Sequence, residues 1–119
     1  MDKMNISDKE IKVVFVDKNL KEAYETLRSS TTEDRRLYGW LDRAFSDIKK
    51  DYTCGILIPK RLIPRSYIKK YDIDNLFIVD LPLFWRMIYS LESDKIEIIA
   101  FVLDIFDHDD YNKRFGFKK

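Results

Sequence analysis

The stretch "FWRMIYSLESDKIEIIAFVLDIF", residues 84–106, decides the fold. Within it, "FWRMIYSL" (84–91) and "KIEIIAFVLDIF" (95–106) are rich in β-branched and aromatic residues, which reads as two strands. The polar "ESDK" between them is a hairpin loop, so the two strands are antiparallel neighbours. The second strand is apolar enough to lie inside the sheet. Alternation along the first puts Trp85, Met87 and Tyr89 on one face, and Phe84, Arg86, Ile88 and Ser90 on the other.

Upstream, "NLFIVDLP" (75–82) reads as a third strand of the same meander, and "CGILIP" (54–59) as a short one stopped by Pro59. Between them "RLIPRSYIKKYDI" reads as loop with a helical turn at 65–71, since Pro64 suits a helix start. Before Asp51 the pattern has a helical period. Leu37, Trp40, Leu41, Ala44, Phe45 and Ile48 recur at spacings of three and four. Thr31 is its predicted N-cap, and acidic residues early with Lys49 and Lys50 late complement the dipole. Gly39 inside this helix is expected to mark close packing of the preceding helix. That helix carries Leu20, Ala23, Tyr24 and Leu27 on one face, and "IKVVFV" (11–16) before it is a strand. The whole predicts one α+β domain over residues 1–119, two helices covering one face of an antiparallel sheet.

Composition narrows the function classes. With 45% hydrophobic and 36% charged residues in 119, the chain is an ordinary globular one. The N-terminus has no apolar leader pattern and no run is long enough to span a bilayer, so a soluble, cytoplasmic protein is expected. One Cys and one His cannot build a structural zinc site, and no metal or cofactor is expected. Cys54 is expected to be a buried, inert thiol. The net charge is +1, yet Thr53 to Tyr71 contains no acidic residue while Lys60, Arg61, Arg65, Lys69 and Lys70 fall there. Such segregation presents a phosphate-attracting face or a solvated basic loop. The only histidine, His108, sits in "FDHDDYNKRF" just after the last strand.

Three strings in order, "IPKRLIPRSYIKKYDIDNL", "DLPLFWRMIYSL" and "IIAFVLDIFDHDDYNKRFG", resemble the RelE/ParE superfamily of type II toxins, and archaeal RelE-like members in particular. The resemblance implies a RelE-like fold, an N-terminal strand and helical hairpin on a twisted antiparallel sheet. It also implies metal-independent cleavage of mRNA on the ribosome and neutralisation by a cognate antitoxin. Arg86 in "FWRMIY" matches the arginine assigned to the scissile phosphate; His108 and Tyr111 match groups that transfer protons. A guanidinium holds two phosphate oxygens at once, and an imidazole exchanges protons near neutrality. Lys60, Arg61, Arg65, Lys69 and Lys70 are the expected RNA-backbone contacts; Tyr67 and Tyr71 between them are placed to stack on bases, although rings in such positions more often pack against the domain. Phe84, Phe106, Phe115 and Phe117 are candidate apolar contacts for the antitoxin.

Ile78 and Asp80 stand where ribosome-dependent relatives carry lysines, and an acid there repels phosphate. Two other readings therefore stand beside the nuclease: a RelE-fold RNA- or ribosome-binding protein without catalysis, and a ParE-type gyrase inhibitor. The oligomeric state and base preference are open.

Overall fold

The computed structural model describes residues 9–107. Strand β1 (Glu10–Phe15) leads into helices α1 (Lys18–Leu27) and α2 (Thr32–Lys50). Strand β2 (Ile56–Leu57), a 3-10 turn at Lys60–Leu62 and helix α3 (Arg65–Tyr71) follow. The meander β3 (Phe77–Asp80), β4 (Arg86–Ser93) and β5 (Glu97–Phe106) completes the order. The five strands form one sheet in the order β1-β5-β4-β3-β2. The α+β expectation holds, with one correction to the sheet. It is mixed, because β1 pairs parallel to β5 while every other pair is antiparallel.

Local chemistry sets the element ends. Asp17 caps α1 by accepting from the Leu20 N–H at 2.8 Å, and Thr31 caps α2 by accepting from the Asp34 N–H at 3.1 Å. The β4–β5 turn is tighter than the sequence pattern predicts, since β4 runs to Ser93. Asp94 makes it by accepting from the N–H groups of Ile96 and Glu97, and those bonds, the one from Glu97 foremost, hold its pKa below the usual carboxylate value. Strand β3 is shorter than 75–82 because Asn75 pairs through its side chain. Its Oδ1 accepts from the Leu91 N–H at 2.7 Å and its Nδ2 donates to the Leu91 carbonyl at 3.0 Å.

The core lies on both faces of the sheet. On one face Leu37, Leu41, Ala44 and Ile48 of α2 pack on Phe77, Met87, Tyr89, Ala100 and Val102. Phe15, Tyr24 and Phe45 join β1, α1 and α2 through ring contacts of 5.1–5.6 Å. On the other face Ile63 and Tyr67 pack on Ile78, Ile88, Leu103 and Phe106. A bulge makes this two-sided burial work. Ile88 pairs with Asp104 but Tyr89 pairs with Val102, leaving Leu103 as an extra residue. The insertion reverses the alternation, so Ile105 turns toward the helical hairpin and Phe106 toward α3.

Tyr89 ties the sheet to the chain leaving α2. Its side chain is fully buried and stacks on Phe77 at 5.1 Å. The hydroxyl donates to the Tyr52 carbonyl at 2.8 Å and accepts from the Gly55 N–H at 3.1 Å. Burial pushes its pKa far above that of an ordinary phenol. Gly55 is required by this contact, since an added Cβ would lie 2.9 Å from the Tyr89 ring and 3.0 Å from the Ile78 carbonyl.

Two expectations are corrected. Among the described residues, no atom beyond the helix's own neighbouring backbone lies within 4 Å of a Cβ added at Gly39, so α1 does not pack there. Cys54 is exposed rather than buried; partial covering of its thiol beside Tyr89 still raises the thiol pKa and keeps it a poor nucleophile. The two glycines make a test. Gly55→Ala should cost about 1–3 kcal/mol in urea denaturation. Gly39→Ala, in an open helical position, should instead gain about 0.5–1 kcal/mol.

Candidate nucleic-acid interface

Two prolines shape the basic segment. Pro59 precedes the 3-10 turn, whose Leu62 N–H donates to the Pro59 carbonyl at 2.8 Å. Pro64 precedes α3 and accepts from the Tyr67 N–H at 3.0 Å. Within this frame, Ile63 and Tyr67 point into the core beneath α3. Arg65, Ile68 and Lys69, spaced three and four apart, share the outward side. They meet Lys60, Arg61 and Ile63 around one open hollow of about 550 Å³. No carboxylate lines it, and none of its four cations is ion-paired among the described residues. Leu62 and Ile68 add exposed apolar surface beside the charges.

The other predicted contacts divide. Lys70 is not part of the hollow; its Nζ lies over the Tyr71 ring, 5.3 Å from the centroid. Tyr67 is a core residue, 7% exposed, which bears out ring packing over base stacking. Tyr71 is half-buried, its ring 6.2 Å from that of Tyr67. Phe106 is likewise core, 2% exposed, which removes it as an apolar docking contact. Phe84 is exposed, as expected.

Arg86 lies on the α3 side of the sheet, as its alternation predicts, opposite Phe106 on β5. Its partner across β3 is Asp80, and Arg86 Nε lies 3.0 Å from Asp80 Oδ1. The arginine side chain is 21% exposed and the carboxylate 59%. Both line an open hollow of about 470 Å³ with Leu81, Leu83, Phe84 and Trp85. The lining is apolar plus one ion pair, quite unlike the basic hollow. Its rim is strained: Leu83 and Phe84 both have positive φ, 58° and 65°, a conformation costing about 1–2 kcal/mol per residue. His108, Tyr111, Phe115 and Phe117 lie outside the described residues. Of the three predicted catalytic residues, Arg86 alone falls among the described ones.

The residues missed by sequence reading are those whose meaning depends on a distant partner. Tyr89, Gly55 and Asn75 carry no local signal for their contacts. The pairing of Arg86 with Asp80, by contrast, is legible in the sequence as the ordinary alternative to phosphate contact for an arginine on a sheet face. Among the described residues no group of three or more His, Cys, Asp or Glu is placed to hold a metal ion, and no helix is long and apolar enough to cross a membrane.

Compared with known protein families, curated proteins and solved structures, the chain matches none.

A double-mutant cycle with Asp80→Ala and Arg86→Ala should give a coupling of about 0.2–1 kcal/mol, because the carboxylate is largely in water. Tyr67→Ala should cost about 3–5 kcal/mol in thermal or urea unfolding, the scale of a buried aromatic ring.

Proposed function

We propose that this chain is a RelE-like toxin-class protein that binds RNA along its phosphodiester backbone. The observation that carries the reading is the hollow ringed by Lys60, Arg61, Arg65 and Lys69 with no acidic residue in its lining. Four like charges gathered on one turn and one short helix repel each other, and a polyanion relieves that repulsion while releasing counterions. The helical hairpin on one sheet face and the meander that follows support the RelE-like reading. A cognate antitoxin would then be the partner that shields the same basic surface, with an acidic segment and apolar side chains for Leu62 and Ile68.

Ribosome-associated mRNA cleavage is a second reading, favoured by Arg86 on the α3 side of the sheet. In that chemistry Arg86 would offset the charge on the phosphorane, and His108 or Tyr111 would move protons. A phosphate at Arg86 must compete with Asp80, which already holds the guanidinium at 3.0 Å. Binding with slow or absent cleavage is the outcome this pairing favours.

Fluorescence anisotropy with a single-stranded RNA tests the first reading. Affinity should fall with salt at a log–log slope of about −3 if all four cations engage phosphate, at about −0.7 per contact. Lys60→Ala, Arg61→Ala, Arg65→Ala and Lys69→Ala should each weaken binding and flatten that slope, and Lys70→Ala should do so less. Unchanged slopes across the four would remove the hollow as the interface. For the second reading, Asp80→Asn should increase the yield of new 5′-hydroxyl ends on translated messages by releasing Arg86. Arg86→Ala and His108→Ala should abolish them. Absence of such ends from both the parent and Asp80→Asn leaves binding alone.

A further inference from the structure

The two edges of the sheet are built differently. The β2 edge is two residues long, and Pro59, Lys60 and Arg61 follow closely behind it. A short strand, a proline and charges are the usual means of keeping an edge from pairing with another chain. The β1 edge is longer and straighter. Its six residues, Glu10–Phe15, run in unbroken register with β5 and include no proline or glycine.

Parallel pairing decides which backbone groups of β1 face outward, because alternate residues turn both their groups to the same neighbour. Glu10 and Val16 donate their N–H groups to the Ile96 and Val102 carbonyls, so the even-numbered residues are engaged on β5. Ile11, Val13 and Phe15 therefore direct N–H and C=O away from the sheet, where no strand among the described residues pairs with them. Their side chains are half-buried against the helical hairpin. Glu10 and Lys12 alternate onto the other face and are exposed. A lysine on an edge strand ordinarily guards it. This one is drawn back over the sheet, its Nζ 3.2 Å from Glu97 Oε2 on β5.

We infer that β1 is the surface through which two copies of this chain pair, edge to edge and antiparallel, about a twofold axis at Ile11. An axis perpendicular to the sheet keeps each face on its own side, so residues of like parity oppose. With the axis at Ile11, the outward groups of the two Ile11 residues bond each other, and Glu10 of each copy faces Lys12 of the other. An axis at Lys12 would set two lysines directly opposite. An axis at Val13 would set Glu10 and Lys12 against Val16 and Val14 and lose both charge pairs. The net charge of +1 leaves little repulsion between copies. The two five-stranded sheets become one, with both basic hollows on the same face and at its far ends. An edge contact is smaller than the standard interface of about 1,200–2,000 Å², so the dimer is expected to dissociate in the micromolar range.

Sedimentation velocity of the whole chain, from micromolar to near-millimolar concentration, tests this. A reversible monomer–dimer equilibrium is expected. Glu10→Lys and Lys12→Glu, both at exposed positions, should each weaken it at least severalfold, and an equimolar mixture of the two should restore it as a heterodimer. Val13→Pro removes an N–H that β5 does not use and should abolish it with the circular dichroism of the monomer retained; should that variant unfold, the charge variants decide. For the register, Glu10→Cys and Lys12→Cys chains, each carrying Cys54→Ser, should cross-link quickly when mixed and slowly alone. Non-hydrogen-bonded antiparallel partners lie about 4.5 Å apart at Cα, within disulfide reach. Lys69→Ala should leave the dimer unchanged while weakening RNA binding, so the two readings fail separately. A monomer at every concentration, a dimer indifferent to the charge variants, or cross-linking as fast within either cysteine variant as in the mixture would overturn the inference.

Discussion

Strand β5 has neighbours on every side, and the rest of the molecule is arranged to supply them. Its backbone is paired with β1 on one edge and β4 on the other, so its polar groups are satisfied without water. That leaves two side-chain faces, both largely apolar, and each needs its own cover. The α1–α2 hairpin covers one; α3 and the turn before it cover the other. The bulge at Leu103 follows from the same demand, because without it Phe106 would turn toward the hairpin and Ile105 toward α3. The parallel β1 is also part of this arrangement. It pairs with the edge of β5 that β4 leaves open, while the helices that follow it return over the sheet.

Covering the second face with so short a helix has a consequence for chemistry. Helix α3 buries Tyr67 and turns Arg65, Ile68 and Lys69 outward, so a core element is at the same time the wall of the basic hollow. At its other end the chain turns through Asp72 into a hollow lined by Asp72, Asp74 and Glu92, of opposite charge. A near-neutral chain therefore carries two local fields of opposite sign on one side of its sheet. Net charge averages them away, and recognition does not.

The Arg86–Asp80 pair sits at a third place, the β3–β4 end, beside two residues in a left-handed backbone. Strain and exposed apolar side chains there are the kind of feature that structures retain near working sites. The ion pair restrains the arginine, and a bound phosphate would have to displace a carboxylate that is more than half in solvent. That exchange is energetically modest, as exposed ion pairs are weak. Asp80 thus tempers Arg86 without disabling it.

Much of this architecture is written in short-range pattern. The helical spacing from Leu37 to Ile48, the Thr31 cap, the "ESDK" turn and the face of Arg86 each depend on residues within a turn or a strand. They need no knowledge of the rest of the chain. The basic cluster is legible for the same reason, since a single turn and a short helix carry it. Other features depend on residues far apart in sequence. The parallel pairing of β1, the second core beneath α3, the Leu103 bulge, the Gly55–Tyr89 contact and the docking of Asn75 on Leu91 all join segments far apart in sequence. For Tyr67 and Phe106 the sequence leaves both surface contact and packing open, because an aromatic near charges looks the same there whether it faces water or a sheet. Periodicity reports which side of an element is apolar; what that side meets is set when the chain closes on itself and both faces of β5 have to be kept dry.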